Sequence, residues 1–458
     1  MAKECCELVT KYLVEVIEKL ILMRSGYLSR KEKNASICLI TPRHISYNPR
    51  VVKEADALHE AGAQVRVVSV SHHSDRARLD EQLMQEREWR LSTVNAEGSS
   101  LHSAARWLWA SIRQKLNRTL YPVFPKKMRD PAYSRYVREL AASAADIRTD
   151  LYIAHNLQAL PAAYRAARRH DALIGFDAED FHRGEFPEEE SSLQKTLTEQ
   201  VEEYYLPVCD HCTAASEGIA EAYAETIGIQ TPDVILNVFP LAEREGQTPT
   251  EELEQERPPD GDVSLYWYSQ VIGPDRGLQD AVRALSQLKE DVHLTLRGRW
   301  ATGFEDDLRQ LAQSLGVEHR LRVLPPAPPE QLLERAAQHD IGLALEQAHT
   351  PNRDLCVTNK MLLYLLAGLP VIATDTTGQR QVCEDVPVAT RLCAIGNPSA
   401  LCESICSLLS EEGSLERATA AAQKAGEECY NWEQEQKKLV APVAETIKAG
   451  RHQISNAH

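Results

Sequence analysis

The stretch Asp340–Arg380 holds the side chains whose spacing points most directly to chemistry. Two apolar runs, Ile341–Leu345 and Leu369–Thr374, read as buried strands. Between them, Thr358 can cap a helix that passes through Lys360 and Leu366 and stops at Gly368. In a doubly wound sheet, the loop at the carboxyl end of the first strand of such a unit faces the ligand crevice. That loop, Glu346–Val357, is polar and long for its type. It delivers the chain to a helix N-terminus, where free N–H groups and the dipole favour an anion. The expected chemistry is therefore the binding of an anionic ligand.

Two further groups carry charge at strand ends. The loop after Ser36–Thr41 contains Arg43, His44 and Arg50, and gains a positive character from them. The strand Asp150–His155 ends on a histidine, and Leu173–Phe176 runs into Asp177, Glu179, Asp180, His182, Arg183 and Glu185. No metal site is expected. Cys209 and Cys212 form a CxxC, but no second pair completes a zinc site and Cys212 begins an apparent core strand. Asp260-Gly261-Asp262 matches a bare DxD pattern and reads as a turn, because Asp-Gly is a turn signal.

These groups must be positioned by a large α/β scaffold. At 458 residues the chain is long enough for two or three domains with separate cores. The net charge of −16 argues against bulk nucleic-acid binding, which needs a basic surface. No apolar run approaches the ~20 residues needed to span a bilayer. Eleven cysteines in no regular array suggest reduced thiols and a cytoplasmic location.

Residues 1–34 read as an amphipathic helical extension. Residues 35–240 show a first strand–helix alternation, with Asn48 and Pro49 opening a helix that Gly62 ends. The usual Gly-rich dinucleotide fingerprint is missing from its first turn. Residues 241–262 are acidic, carry prolines, lack periodicity and form the expected linker. A second alternation fills 263–430, and 431–458 is a helix and tail. Two such alternations predict an α/β protein with two Rossmann-like domains, their parallel sheets facing across a cleft. The ligand cleft belongs at the carboxyl ends of both sets of strands.

One segment stands apart. Leu101–Arg129 has seven basic residues and no acid, with Trp107, Trp109, Tyr121 and Phe124 interleaved. It suits either contact with an anionic lipid surface or phosphate-bearing acceptor, or a helix with core tryptophans and solvated bases.

With these residues in place, the chain resembles the GT-B glycosyltransferases, most closely the large retaining family 4 type. The specific part is Thr358–Val382, which is similar to that family's Lys-x-x-x-Tyr-x-x-x-Gly-x-Pro-Val-Ile-Ala segment through Lys360, Tyr364, Gly368, Pro370 and Val371. The stretches ICLITPRHISYNPRVVKEADALHEAGAQVRVV, DLYIAHNLQALPAA and YSQVIGPDRGLQDAVRAL, and Asn431-Trp432, fit the same pattern in the same order, so the resemblance spans roughly 36–448.

The resemblance implies a nucleotide-diphosphate sugar as donor, bound mainly by the C-terminal domain, and usually no bound metal or other cofactor. Arg276 stands at the place of the family's Lys-Gly and is the foremost candidate for the diphosphate, since a guanidinium suits phosphate oxygens. Lys360, Arg297 and Arg299 are further candidates. His155 is expected to contact the sugar or support the reacting centre. Arg43, Asn48, Arg50, Asp177, Glu179 and Asp180 are expected on the acceptor side, with Glu179 or Asp180 orienting a hydroxyl of a glycan, lipid-linked or small-molecule acceptor. One departure is plain: the family's Glu-x(7)-Glu positions are Leu355 and Leu363. Glu346 and Asp354, eight residues apart, are candidate substitutes, joined by Asn352, Thr358 and Asn359. The functions in view are a retaining hexosyltransferase, a catalytically reduced binding subunit, or a nucleotide-sugar epimerase on the same fold. A cytoplasmic location follows from the cysteines, and peripheral membrane contact through 101–129 is one of the two readings of that segment.

Overall fold

The computed structural model describes residues 35–72, 74–96, 101–187, 189–244, 256–258 and 261–456. The expected N-terminal helix, most of the linker and Asp260 of the DxD pattern lie outside the described residues.

The first sheet contains β1 (Ser36–Ile40), β2 (Gln64–Ser71), β3 (Arg90–Asn95), β4 (Leu151–His155), β5 (Leu173–Ala178), β6 (His211–Ala214) and β7 (Asp233–Val234). Its spatial order is β3-β2-β1-β4-β5-β6-β7, with every pairing parallel. The second contains β8 (Val263–Ile272), β9 (Val292–Trp300), β10 (Leu321–Leu324), β11 (Ile341–Ala344), β12 (Val371–Thr374) and β13 (Thr390–Cys393), in the order β10-β9-β8-β11-β12-β13, again parallel. Each sheet thus repeats the doubly wound order, which reverses direction beside its first strand. The two switch points fall between β1 and β4 and between β8 and β11.

In the first domain the helices are α1 (Pro49–Glu60), α2 (Ser74–Met84), α3 (Leu101–Leu120), α4 (Pro125–Tyr133), α5 (Val137–Ala144), α6 (Leu160–His170), α7 (Leu193–Tyr205) and α8 (Glu217–Ile227). Around the second sheet are α9 (Leu278–Leu285), α10 (Phe304–Ser314), α11 (Leu332–Ala336), α12 (Pro351–Leu355), α13 (Asn359–Ala367), α14 (Thr377–Asp385), α15 (Pro398–Leu409) and α16 (Ser414–Glu428). The last helix, α17 (Trp432–Asn456), returns to the first domain. Its Trp432 N–H donates to Phe239 O at 3.0 Å, and its Val443 and Ile447 join the core of Ile37 and Leu58.

Three details differ from expectation. The strand expected over Val234–Val238 ends at Val234, because Leu236 N–H turns to donate to Glu435 on α17 at 2.8 Å. The loop Glu346–Val357 contains α12, which Thr350 caps by accepting from Arg353 N–H at 3.4 Å and Pro351 opens. Strand β3 and helices α2 and α5 carry too weak a pattern to have been anticipated, β3 being an edge strand with only Val94 fully buried.

The core under β8 and β11 holds a histidine that responds to acid. His339 stacks on Tyr266 with ring centroids 4.2 Å apart, and its Nδ1 lies 2.6 Å from Ser264 Oγ. Burial, aided by Arg297 and other cations, takes its pKa from 6.5 down to about 3. The folded chain therefore keeps His339 neutral where the unfolded chain takes up a proton. Its stability is complete above pH 6.5 and declines as pH falls toward about 3. The expected loss at pH 5 is roughly 1–2 kcal/mol. Melting curves between pH 7 and 5 should show His339→Phe losing less stability than wild type; an equal loss rules His339 out as the source.

Candidate functional site

At the second switch point the chain passes from β8 into Gly273–Gly277. Asp275 and Gly277 both have left-handed backbone, with φ of 58° and 69°. A Cβ on Gly277 would lie 2.7 Å from Leu345 Cβ and 2.9 Å from Leu345 O, so only glycine lets this loop lie against the end of β11. The loop thereby presents Arg276, half-buried, and no hydrogen bond or ion pair engages its guanidinium among the described residues.

Glu346 leaves the end of β11 beside it. Lys360 Nζ donates to Glu346 Oε1 at 2.6 Å and Thr358 Oγ1 donates to the same oxygen at 3.1 Å. Burial pushes the Glu346 carboxyl up, but Lys360, Thr358 and Arg276 outweigh it and hold it below its ordinary value. Thr374 Oγ1 anchors the Glu346 carbonyl at 2.6 Å. Thr358 therefore spends its hydroxyl on Glu346, and the side-chain cap expected of it on α13 is not made. Asn359, exposed, begins the helix. The result is a fixed carboxylate, one paired cation and one unpaired cation at a helix start. That arrangement suits an anion arriving on the Arg276 side.

Several expected donor residues have other work. Arg297 is 1% exposed, with Nε donating to Tyr266 Oη at 2.9 Å, Nη1 to Pro325 O at 2.9 Å and Nη2 to Glu256. A guanidinium so enclosed is a core cation, and this corrects its assignment to the diphosphate. Asp354 accepts from Thr377 Oγ1 at 2.6 Å and Thr377 N–H at 3.2 Å, occupying the start of α14. Asn352 ties the domains together: its Oδ1 accepts from Phe181 N–H at 2.7 Å and its Nδ2 donates to Asp180 Oδ1 at 2.9 Å. Asn352 is buried in these contacts, whereas Asp354 makes its two bonds at the surface.

The two leucines are packing positions as well. Leu363 is fully buried on α13. Leu355 lies against α8 of the other domain: its carbonyl accepts from Ser216 Oγ at 2.8 Å, and a Cβ on Gly218 would sit 3.0 Å from its Cδ2.

At the first switch point Asn48 accepts from Val51 N–H at 3.2 Å to cap α1, and its Nδ2 donates to Glu179 Oε1 at 2.5 Å. Behind it lies a sealed ionic cluster. Arg50 donates to both Asp177 oxygens at 2.6 and 2.7 Å and to Ile235 O at 2.6 Å. Thr213 Oγ1 adds a bond to Asp177 at 2.6 Å. His155 Nδ1 lies 3.2 Å from Asp177 and from Glu179, and Nε2 lies 2.7 Å from Glu54 without hydrogen-bond alignment. Burial opposes charge on His155, but Glu54, Asp177 and Glu179 raise its pKa well above 6.5 and keep the ring protonated. Burial likewise opposes the Asp177 charge, and Arg50 and His155 hold that carboxyl far below its usual range.

This corrects two expectations. Arg50 and Asp177 are 4% and 0% exposed and their charges are satisfied internally, so neither meets an acceptor. His155, 0% exposed, does not itself reach a sugar. Only the bond to Glu179 connects His155 to an accessible surface. Glu54, Asp177 and His155 are also the group whose ligand atoms stand close enough for a metal among the described residues. The Arg50 guanidinium on Asp177 already supplies the balancing cation there. Glu54 was not anticipated, although its i, i+4 spacing from Arg50 on an otherwise apolar face of α1 was a readable signal.

In front of the cluster opens a cavity of about 660 Å³, with a mostly polar lining. Arg43, Arg118, Arg135, Glu179, Asp180 and Glu185 all line it. Arg43 is exposed and engages no partner among the described residues. Arg118 and Arg135 were not foreseen as lining residues, because α3 and the turn after α4 come to β1 and β4 only through tertiary packing. Asp180 joins this cavity to the other half-site through Asn352.

Residues 264–411 match the family model described as "Glycosyl transferases group 1". No match to the sequence is found among curated proteins. Among solved structures, Anabaena Alr3699/HepE in complex with UDP superposes with a TM-score of 0.66 at 17% identity, over 90% of this chain and 100% of that one. Sucrose-phosphate synthase from Thermosynechococcus elongatus gives 0.65 at 15%, over 91% and 100%. A glycosyltransferase from Rickettsia africae gives 0.62 at 14%, over 90% and 98%. The expected architecture is thus borne out: two Rossmann-like domains in the GT-B arrangement.

Proposed function

We propose that this chain is a glycosyltransferase that moves a hexose from a nucleotide-diphosphate sugar to an acceptor hydroxyl with retention of configuration. The observation that carries the reading is Arg276, an unpaired guanidinium held by Gly277 beside the Glu346–Lys360 pair at one switch point. The match of that domain to the glycosyl transferases group 1 model and the UDP complex of HepE support a nucleotide-sugar donor here.

In this reading Arg276, Lys360 and the N-terminus of α13 take up negative charge as the bond from the anomeric carbon to the diphosphate oxygen breaks. The acceptor hydroxyl, oriented by Glu179 or Asp180, attacks on the face the diphosphate leaves. Its proton passes to a diphosphate oxygen, so no protein base is needed. Glu346 fixes Lys360 and donor hydroxyls rather than accepting the proton. The cations replace a metal, so chelator should leave the rate unchanged. Asn352 and Leu355 contact the first domain, and closure of the two domains about these contacts would limit hydrolysis.

A second reading is favoured by Leu355 and Leu363, neither of which can accept a hydrogen bond from a ribose or sugar: a subunit that binds nucleotide sugar without transferring it. A thermal-shift screen of UDP-, GDP-, ADP- and dTDP-sugars, followed by product analysis with a mixed acceptor pool, separates the two. The transferase predicts a stabilising donor and a glycosylated product of retained anomeric configuration. Stabilisation without transfer or hydrolysis selects the binding subunit. No shift with any donor or free nucleoside diphosphate overturns both.

A further inference from the structure

We infer that the outer face of α3 and the turn after it form a docking surface for an anionic phospholipid bilayer. The inference goes beyond the proposed chemistry and does not depend on it. Leu108, Trp109, Ile112 and Leu116 recur at helical spacing along α3, and Val123 and Phe124 continue the stripe across the turn to α4. All six are exposed, Trp109 at 69%, Val123 at 67% and Leu116 at 55%. Isolated exposed apolar residues are ordinary, whereas a contiguous row of this kind marks an interaction surface.

The charges choose the occupant. In a chain of net charge −16, no acid lies between Leu101 and Arg129. Lys115, Lys126 and Lys127 flank the stripe, exposed and without an ion pair among the described residues. An exposed tryptophan, a leucine–isoleucine row and flanking lysines suit a helix lying in the headgroup region of an anionic membrane. Among the described residues no helix is long and apolar enough to cross one. The opposite flank of α3 faces inward: Gln114 and Arg118 line the polar cavity, and Arg135 of that cavity lies 6.0 Å over the Trp107 ring. Docking through this face therefore leaves the cavity behind α3, about one helix diameter from the bilayer surface.

The test is flotation of the full chain with vesicles of phosphatidylcholine alone or containing about one-third phosphatidylglycerol, at low and high salt. The inference predicts flotation with the anionic vesicles at low salt, release at high salt, and little binding to neutral ones. Trp109→Glu/Leu116→Glu and Lys126→Glu/Lys127→Glu should each lower the bound fraction about tenfold or more. Because these side chains are exposed, both variants should keep the wild-type melting temperature, which separates lost docking from lost fold. Absence of flotation at low salt, or flotation unchanged in both variants, overturns the inference. So does a wild-type dimer by light scattering that Trp109→Glu/Leu116→Glu makes monomeric while vesicles bind neither form; the stripe is then a self-interface. Nucleoside diphosphate binding is read in a separate titration, so failure of docking leaves the nucleotide site standing.

Discussion

Arg276→Ala is expected to lower kcat/KM for sugar transfer by about 100- to 1000-fold, with a parallel loss of affinity for the nucleoside diphosphate. The size follows from what the guanidinium would do. A donor diphosphate would bring about two negative charges, and Lys360 is already shared with Glu346 at 2.6 Å. Arg276 has no hydrogen bond or ion pair among the described residues and acts on Glu346 only at longer range, so its guanidinium is open to a phosphate. Its removal should cost little stability, because it makes no internal bond; the melting temperature without ligand should stay at the wild-type value. Arg276→Lys should recover part of the rate, since it keeps the charge and loses the bidentate geometry. Initial rates and calorimetric titration read these effects. An alanine variant whose nucleotide affinity stays within about threefold of wild type would remove the phosphate assignment.

The second large effect is on stability. Arg50→Met leaves Asp177, Glu54 and Glu179 facing a single imidazolium, with Asp177 sealed from water. Stranding a buried charge in this way costs about 3–5 kcal/mol, far more than loss of an exposed pair. Arg50 also donates to Ile235 O, so the segment that leads toward α17 loosens with it. The double variant Arg50→Met/Asp177→Leu should recover much of the loss, because it removes both charges together. Denaturant unfolding measures all three chains. A loss below about 1 kcal/mol for Arg50→Met would show that the cluster is solvated and not the sealed network described above.

Both sites were partly legible in the sequence, for different reasons. The alternation of apolar runs with helical periodicity, and the Gly368 and Gly62 stops, were local signals, and local signals located most strands and helices. Placement at strand ends likewise brought Arg43 and Glu179 to one cavity, and strand-end and helix-start placement brought Glu346 and Lys360 into contact near Arg276. What sequence could not reveal was which charges face each other once buried. Arg50, His155 and Asp177 come from three separate elements, and only the packing of α1 over β4 and β5 shows that they neutralise one another. Arg297 reads as a further candidate for the diphosphate and proves to be core because Glu256 and Tyr266 close around it. The roles of Asn352 and Leu355 depend on contacts with the first domain, which no local pattern contains. Leu355 and Leu363, where the resemblance expects glutamates, have packing roles on the same ground: Leu363 is buried in the core and Leu355 lies against Gly218.

The most direct test of the central claim is calorimetric titration of the wild-type chain with free nucleoside diphosphates. The nucleotide-sugar site predicts saturable binding of at least one of them at one site per chain, abolished or strongly weakened by Arg276→Ala. Wild-type protein that is folded and binds none of them at millimolar concentration would contradict it.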